Sequence, residues 1–410
     1  MQTKQNIMDV NPEIFRGKRV LVRVDFNVPL KDGIITDDTR IKSSLPTIEY
    51  LVKNGARVIL VSHLGRPKGI DKNLTLLPIA KQLHKLTNQE IHFMAEPINE
   101  KTMSTINALP NGSICMLENI RFYPEEEKND LEFANLLAEL ADIYVNDAFG
   151  TSHRAHASTA GITQKIKIAL AGDLVDQELK ALNTCLKNPS RPFAVIIGGS
   201  KVSTKISLLD NLINNVDLLI IGGAMAFTFL KAQGHNIGKS LVENDYLDYC
   251  RNLLNKANAQ NVKILLPQDV IAARDIKDGK NAICLSINSI TDDLMGLDIG
   301  KLSQSEIKTA LQSCKTIFWN GPLGVFEEPG FESGTFTTID TLVALTKTGV
   351  KTIVGGGDSL AALKAKNIDF KTLTHVATGG GATLEYLEGK SLPGIDCLNN
   401  HEPKAQVSLA

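Results

Sequence analysis

Short, continuously apolar runs alternate with amphipathic stretches along the whole chain. In the first half such runs fall at 19–26, 57–62, 113–118 and 142–147; in the second they fall at 193–197, 216–221, 263–266, 316–319, 351–354 and 375–378. Each is a few residues long, mostly rich in Val, Ile or Leu, and many end near Gly or Asp. A segment apolar on both faces and bounded by turn residues predicts a buried strand of a parallel sheet. Between these runs, 129–141, 201–214 and 244–257 carry apolar residues at helical spacing. Strand–helix alternation of this kind predicts an α/β fold, here repeated twice.

The two repeats part near 172–192. Residues 174–186 predict a helix whose apolar stripe is Val175, Leu179, Leu182 and Leu186, and Asn188-Pro-Ser-Arg-Pro192 follows as turn chemistry. That helix is expected to connect two halves, 1–172 and 173 onward. One continuous sheet is the alternative, and the size limit on single cores opposes it. A length of 410 residues agrees with two or three domains.

Composition removes several function classes. The chain is 43% hydrophobic and 22% charged, with a formal net charge of -1. It therefore has no broad electrostatic footprint for nucleic acid or a membrane surface. No apolar run reaches the ~18 residues of a membrane span, and the first thirteen residues carry no apolar signal core. Six cysteines (Cys115, Cys185, Cys250, Cys284, Cys314, Cys397) are scattered without paired or zinc-like spacing. A reducing, cytoplasmic location is expected.

The chemistry sits where strands end. In the second half, strands run into Gly198-Gly-Ser200, Gly222-Gly-Ala224, Gly355-Gly-Gly-Asp-Ser359 and Gly379-Gly-Gly-Ala-Thr383. Glycine permits close backbone approach to a ligand, and a helix N-terminus attracts anions. Any one such turn is ordinary packing; four in one half point to a polyphosphate ligand. Lys201 and Lys205 follow the first turn, and on a helix they would share a face at the anion-attracting end. No G-x-G-x-x-G opens a helix, which weakens a dehydrogenase reading. Gly234-His-Asn-Ile-Gly238-Lys-Ser240 misses the P-loop spacing and reads as an exposed loop.

In the first half, Asp25, Asn27, Arg40, His63, Arg66, Arg121, His153, Arg154 and His156 lie at or after predicted strands. Parallel topology would gather them at one sheet edge, as a site for a small, highly anionic molecule. Singly, each arginine is a surface charge. His153 and His156 have metal-pair spacing, but no Cys or carboxylate completes a set nearby.

These motifs resemble those of phosphoglycerate kinase across nearly the whole chain. The first-half runs are Arg23-Val-Asp-Phe-Asn-Val-Pro29, Ser62-His-Leu-Gly-Arg-Pro67, Leu117-Glu-Asn-Ile-Arg-Phe122 and the stretch from Asn146 to His156. The second-half runs are the stretch from Gly198 to Lys205, Trp319-Asn-Gly-Pro-Leu-Gly-Val-Phe-Glu327, Gly355 to Ser359 and Thr378 to Thr383. The resemblance implies two Rossmann-like lobes, each a parallel sheet flanked by helices, joined by a connector helix. Residues 391–410 would cross back onto the first lobe, leaving 173–390 for nucleotide. It implies that 3-phosphoglycerate binds at Asp25, Asn27, Arg40, His63, Arg66, Arg121 and Arg154. Nucleotide would meet Lys201 and Lys205 through its phosphates and Gly222, Gly223, Gly296, Leu297 and Glu327 through adenosine. Gly198, Asn320, Gly356 and Gly357 would lie at the phosphates, with Asp358 holding Mg2+ and Ser359 supporting it.

The implied reaction is reversible phosphoryl transfer from 1,3-bisphosphoglycerate to ADP, giving 3-phosphoglycerate and ATP. Arg40, Lys201 and Gly380 are the expected catalytic groups, acting by charge stabilisation after the lobes close. A monomer is expected, with no nucleic-acid or membrane partner. Two other classes fit parts of the pattern: a non-catalytic two-lobed anion-binding protein and an NAD-dependent dehydrogenase.

Overall fold

The structure, a computed structural model, describes residues 3–187 and 189–401. The Leu186 side chain, Asn188 and the tail from 402 lie outside the described residues. The chain forms two compact units, Met1–Leu179 with Ser391–Ala410, and Lys180–Lys390. The division falls inside the helix Asp173–Leu186, where the sequence reading had placed it at 172/173.

The first unit is built on six parallel strands. In sheet order they are Ile91–Met94, Ile114–Leu117, Arg57–Val61, Arg19–Val24, Ile143–Asp147 and Ala169–Ala171. Numbered along the chain, the order is 3-4-2-1-5-6. The central strands are buried on both faces, which is why they read as unbroken Val/Ile/Leu runs. Phe15, Val22, Leu60 and Val145 share the core with Ile41 and Ile48 of the helix Thr39–Lys53. The C-terminal residues to 401 belong to this unit: Asn146 Nδ2 donates to the Gly394 carbonyl at 2.6 Å, and Lys4 bridges Asn400 antiparallel.

The second unit holds six parallel strands in the order Lys263–Leu265, Leu218–Ile221, Phe193–Ile197, Thr316–Asn320, Lys351–Gly355 and His375–Val376. Their chain numbering gives 3-2-1-4-5-6, the dinucleotide-fold order, with the direction of winding reversing between Phe193–Ile197 and Thr316–Asn320. Beside it lies an antiparallel sheet of Asp269–Ala273, Ile283–Ser286 and Met295–Ile299. The sequence reading missed this sheet because its outer strand is mostly exposed, Ile283 included. It also missed Ile91–Met94 and Ala169–Ala171, one half-buried and the other three residues long.

One expected helix is shorter than its periodicity suggests. Residues 201–205 are not helical, with a turn at 203–205, and the helix is Ile206–Leu212 with Lys205 as its N-cap. The cause is long-range: Glu243 accepts from the Ser203 N–H (3.0 Å) and hydroxyl (2.5 Å), which diverts this segment from helical pairing. Lys201 and Lys205 therefore do not share a helical face.

Candidate active site

In the first unit the winding reverses at Arg19–Val24 and Ile143–Asp147, and the predicted anion residues collect there. Asp25 follows the first of these strands and its Oδ2 accepts from Arg40 Nη1 at 2.6 Å. The Asn27 N–H reaches Asp25 Oδ1 at 3.3 Å, while Asn27 Oδ1 accepts from the Gly65 N–H at 2.9 Å. Arg121 Nη1 donates to the Gly65 carbonyl at 2.8 Å, and its Nε lies 3.2 Å from Glu127 Oε1. Arg66 is exposed beside that clamped glycine. Arg154 is also exposed, its Nε 3.1 Å from His153 Nε2.

The cluster has a cationic surplus, which disfavours further positive charge on its members. Burial lowers the pKa of Arg121, and the nearby Arg23 and Arg154 add to the shift against Glu127 and Glu126. Burial and the same arginines push His156 down to about 4. His63 is held well below its ordinary value by burial, then by Arg23, Arg121, Arg40 and His156. Packed arginines thus hold these two histidines in the neutral form. Asn119, which sequence reasoning passed over, organises the cleft. It accepts from the Leu64 N–H (3.2 Å) and donates to the carbonyls of Leu64 (2.8 Å) and Leu74 (2.9 Å).

The second unit holds a cavity of about 490 Å³, opening where its strands end. Gly223, Gly296, Leu297, Glu327 and Asp358 of the predicted set line it. Phe227, Met295, Leu323 and Val325 make its walls apolar, and Lys239 joins the polar rim. Lys239 belongs to the near-P-loop run read as a plain loop; Gly238, at φ +54°, turns the chain so that the Lys239 N–H bonds the Leu294 carbonyl at 2.7 Å. An apolar slot with a few polar groups at its edge suits a flat heterocycle bearing a charged tail.

The remaining predicted residues frame the cavity. The Gly198 N–H bonds the Asn320 carbonyl at 2.8 Å; a Cβ on Gly198 would stand 2.0 Å from the Pro322 carbonyl oxygen. A Cβ on Gly222 would stand 2.4 Å from a methyl of the Leu323 side chain, and one on Gly296 would strike the Phe227 ring. Asn320 Nδ2 donates to the Gly355 carbonyl at 2.8 Å, and its Oδ1 accepts from Lys205 Nζ at 2.5 Å. Ser359 is buried and accepts from the Gly321 N–H at 2.7 Å, so its hydroxyl braces the loop. Gly356 takes φ +94° as N-cap of the helix Gly357–Ala365, whose first turn carries Asp358. Gly380 takes φ +55° ahead of Gly381–Leu387. Lys201 is exposed on the turn after Gly198-Gly199.

A cation-rich cleft on one parallel α/β unit and a nucleotide-sized cavity on another define a two-unit phosphotransferase. The phosphoglycerate kinase family model matches residues 7–390, and the chain belongs to that family. Phosphoglycerate kinase from Thermosynechococcus vestitus is 50% identical over 399 residues, covering 97% of this chain and 100% of that protein. Phosphoglycerate kinase 3, cytosolic, from Arabidopsis thaliana is 50% identical over 400 residues at the same coverage. Among solved structures, phosphoglycerate kinase from Coxiella burnetii superposes with a TM-score of 0.89 at 42% identity, covering 96% of this chain and 98% of that one.

The chain accordingly has phosphoglycerate kinase function, a glycolytic phosphotransferase activity on phosphoglycerate and nucleotide substrates. Neither the anion-binding nor the dehydrogenase alternative is favoured. Among the described residues no helix is long and apolar enough to cross a membrane.

Proposed function

We propose that the first unit holds the phosphoglycerate through Asp25, Asn27, Arg40, His63, Arg66, Arg121 and Arg154. The second unit holds ADP or ATP, with adenosine in the cavity at Gly223, Gly296, Leu297 and Glu327, and phosphates toward Lys201, Lys205 and the Gly356-Gly357 turn. The observation that carries this reading is the division of labour: surplus cations in one unit, a nucleotide-sized cavity in the other. ATP formation from 1,3-bisphosphoglycerate and ADP tests it.

In that direction a terminal phosphate oxygen of ADP attacks the acyl phosphorus, the P–O bond to the carboxyl group breaks, and a carboxylate leaves. The leaving group is stable as an anion at neutral pH, its pKa being about 3.5, so no residue has to supply a proton. The work left is positioning and charge stabilisation. Arg40, Lys201 and the backbone N–H groups at Gly380 are the groups assigned to it.

Among the described residues no three His, Cys, Asp or Glu side chains are placed to hold a metal by themselves. Glu327, Asp298 and Asp358 line the cavity; Asp298 is taken up by the Gly334 N–H at 2.7 Å and Glu327 is assigned to adenosine, so Asp358 is the carboxylate offered to Mg2+, an ion usually held by one or two carboxylates together with substrate phosphates. When bound, the ion supplies countercharge to those phosphates. Asp358→Asn is expected to weaken Mg2+–nucleotide binding at least about tenfold, or ~1.4 kcal/mol, and to leave phosphoglycerate affinity unchanged. Calorimetry showing equal losses for both ligands would remove the metal role.

The two ligands belong to separate units, and reaction needs the reacting atoms within about 3–3.5 Å. Ligand-driven closure follows, with hinges at the helix Asp173–Leu186 and after Leu387. The radius of gyration from small-angle scattering should fall most with both substrates bound and only partly with either. An active enzyme whose radius ignores both ligands rejects the hinge. The free cysteines fit a reducing cytoplasm, and the enzyme acts as a monomer in this reading.

A further inference from the structure

Arg23 is a charged residue near the end of a buried strand, with no exposed surface. A buried guanidinium is costly unless it is paired and its donors are satisfied. Its Nη1 donates to the Val24 carbonyl. Nε donates to Ser158 Oγ at 2.8 Å. The same hydroxyl donates to Glu126 Oε1 at 2.6 Å, and the Ser158 N–H donates to Oε2 at 2.9 Å. Glu126 is itself fully buried. Burial raises its pKa, opposed by Arg23 and by the two bonds from Ser158. Arg23 and Glu126 are therefore joined inside the core through one serine hydroxyl.

The remaining guanidinium nitrogen, Nη2, lies 3.2 Å from His63 Nδ1. A guanidinium has donors and no acceptor, so Nδ1 must be the accepting, unprotonated nitrogen. An imidazolium has no lone pair to offer there. The ring is thus neutral, with its proton on Nε2. The other charged groups acting on the ring agree: the Arg40 and Arg121 guanidiniums oppose a positive charge there. Asp25 Oδ1, 4.0 Å from Nδ1, is too far for a hydrogen bond. Among the described residues none accepts a hydrogen bond from Nε2, which leaves that N–H for a ligand.

We propose that the buried Arg23–Ser158–Glu126 chain is a positioning device that fixes His63 as the neutral Nε2–H tautomer, so that the ring meets the phosphoglycerate anion as a hydrogen-bond donor. The clause about phosphoglycerate rests on the site reading above; the tautomer does not. Arg23 and Glu126 touch no substrate in this scheme and act through His63.

Ring-nitrogen NMR on full-length enzyme labelled with 15N-histidine reads the tautomer directly, with His63→Gln identifying the resonance. The expected result is a protonated Nε2 and an unprotonated Nδ1, unchanged from about pH 6 to pH 8, although an ordinary histidine titrates near 6.5. Ser158→Ala cuts the bridge without removing a charge. It is expected to raise the phosphoglycerate KM roughly tenfold, a loss of about one hydrogen bond, with nucleotide KM unmoved and the His63 ring mixed or titrating. A wild-type ring protonated at Nδ1, or at both nitrogens at neutral pH, overturns the proposal without any variant having to fold. An Nε2–H ring whose resonances ignore added 3-phosphoglycerate supports the positioning device and overturns the substrate assignment, so the two claims fail separately.

Discussion

Arg40→Ala is expected to lower kcat by roughly 10²–10⁴-fold, the range for removing a group that stabilises transition-state charge. Arg40 sits in the first turn of the helix Thr39–Lys53, where a cation is unfavourable for the helix dipole. Asp25 holds it there at 2.6 Å, with the Arg40 side chain 40% exposed. A half-exposed ion pair contributes about 0–1 kcal/mol to stability, so the fold should survive the substitution. The expected pattern is a large fall in kcat, a melting temperature within a few degrees of the parent, and nucleotide affinity unchanged. Steady-state kinetics with kcat near the parent value would remove Arg40 from the catalytic role.

Gly198→Ala is expected to damage both the fold and nucleotide binding. Gly198 ends the strand Phe193–Ile197, where the winding of the second sheet reverses. An added Cβ would stand 2.0 Å from the Pro322 carbonyl oxygen and 2.5 Å from that of Gly321, both backbone atoms that no rotamer change can move. The Gly198 N–H bond to Asn320 anchors a web in which Asn320 holds Lys205 and the Gly355 carbonyl. Forcing the strand ends apart should cost more than about 2 kcal/mol, within the range for overpacking. It should also lower nucleotide affinity at least about tenfold, because the cavity frame shifts with it. Thermal unfolding and nucleotide calorimetry on the same sample check both. A variant as stable as the parent with parental nucleotide affinity would mean the crevice is not held by this close approach.

The sequence showed those parts of the molecule that depend on local pattern. Central strands such as Phe193–Ile197 are buried on both faces, so their apolar runs were unambiguous. The residues expected to meet an anion lie near one another because parallel strands all end on one edge, so position after a strand predicts assembly. The edge strands of the first sheet gave no such run: Ile91–Met94 is half-buried and includes a histidine, and Ala169–Ala171 is three residues long. The 201–205 segment looked helical because the Glu243 side chain that diverts it lies 40 residues on from Ser203. Arg23 read as part of a family motif, and only the fold showed Ser158, 135 residues away, completing its pairing. The apolar cavity wall at Phe227 and Met295 comes from elements whose meeting no spacing encodes.

The central claim is that this chain transfers a phosphoryl group between the two ligands its units bind. The most direct measurement is ATP formed from 1,3-bisphosphoglycerate and ADP by the purified full chain in the presence of Mg2+. The account predicts ATP and 3-phosphoglycerate in equal amounts, well above the enzyme-free background, and a rate that collapses in Arg40→Ala. Calorimetric binding of both ligands with no ATP above background would contradict it.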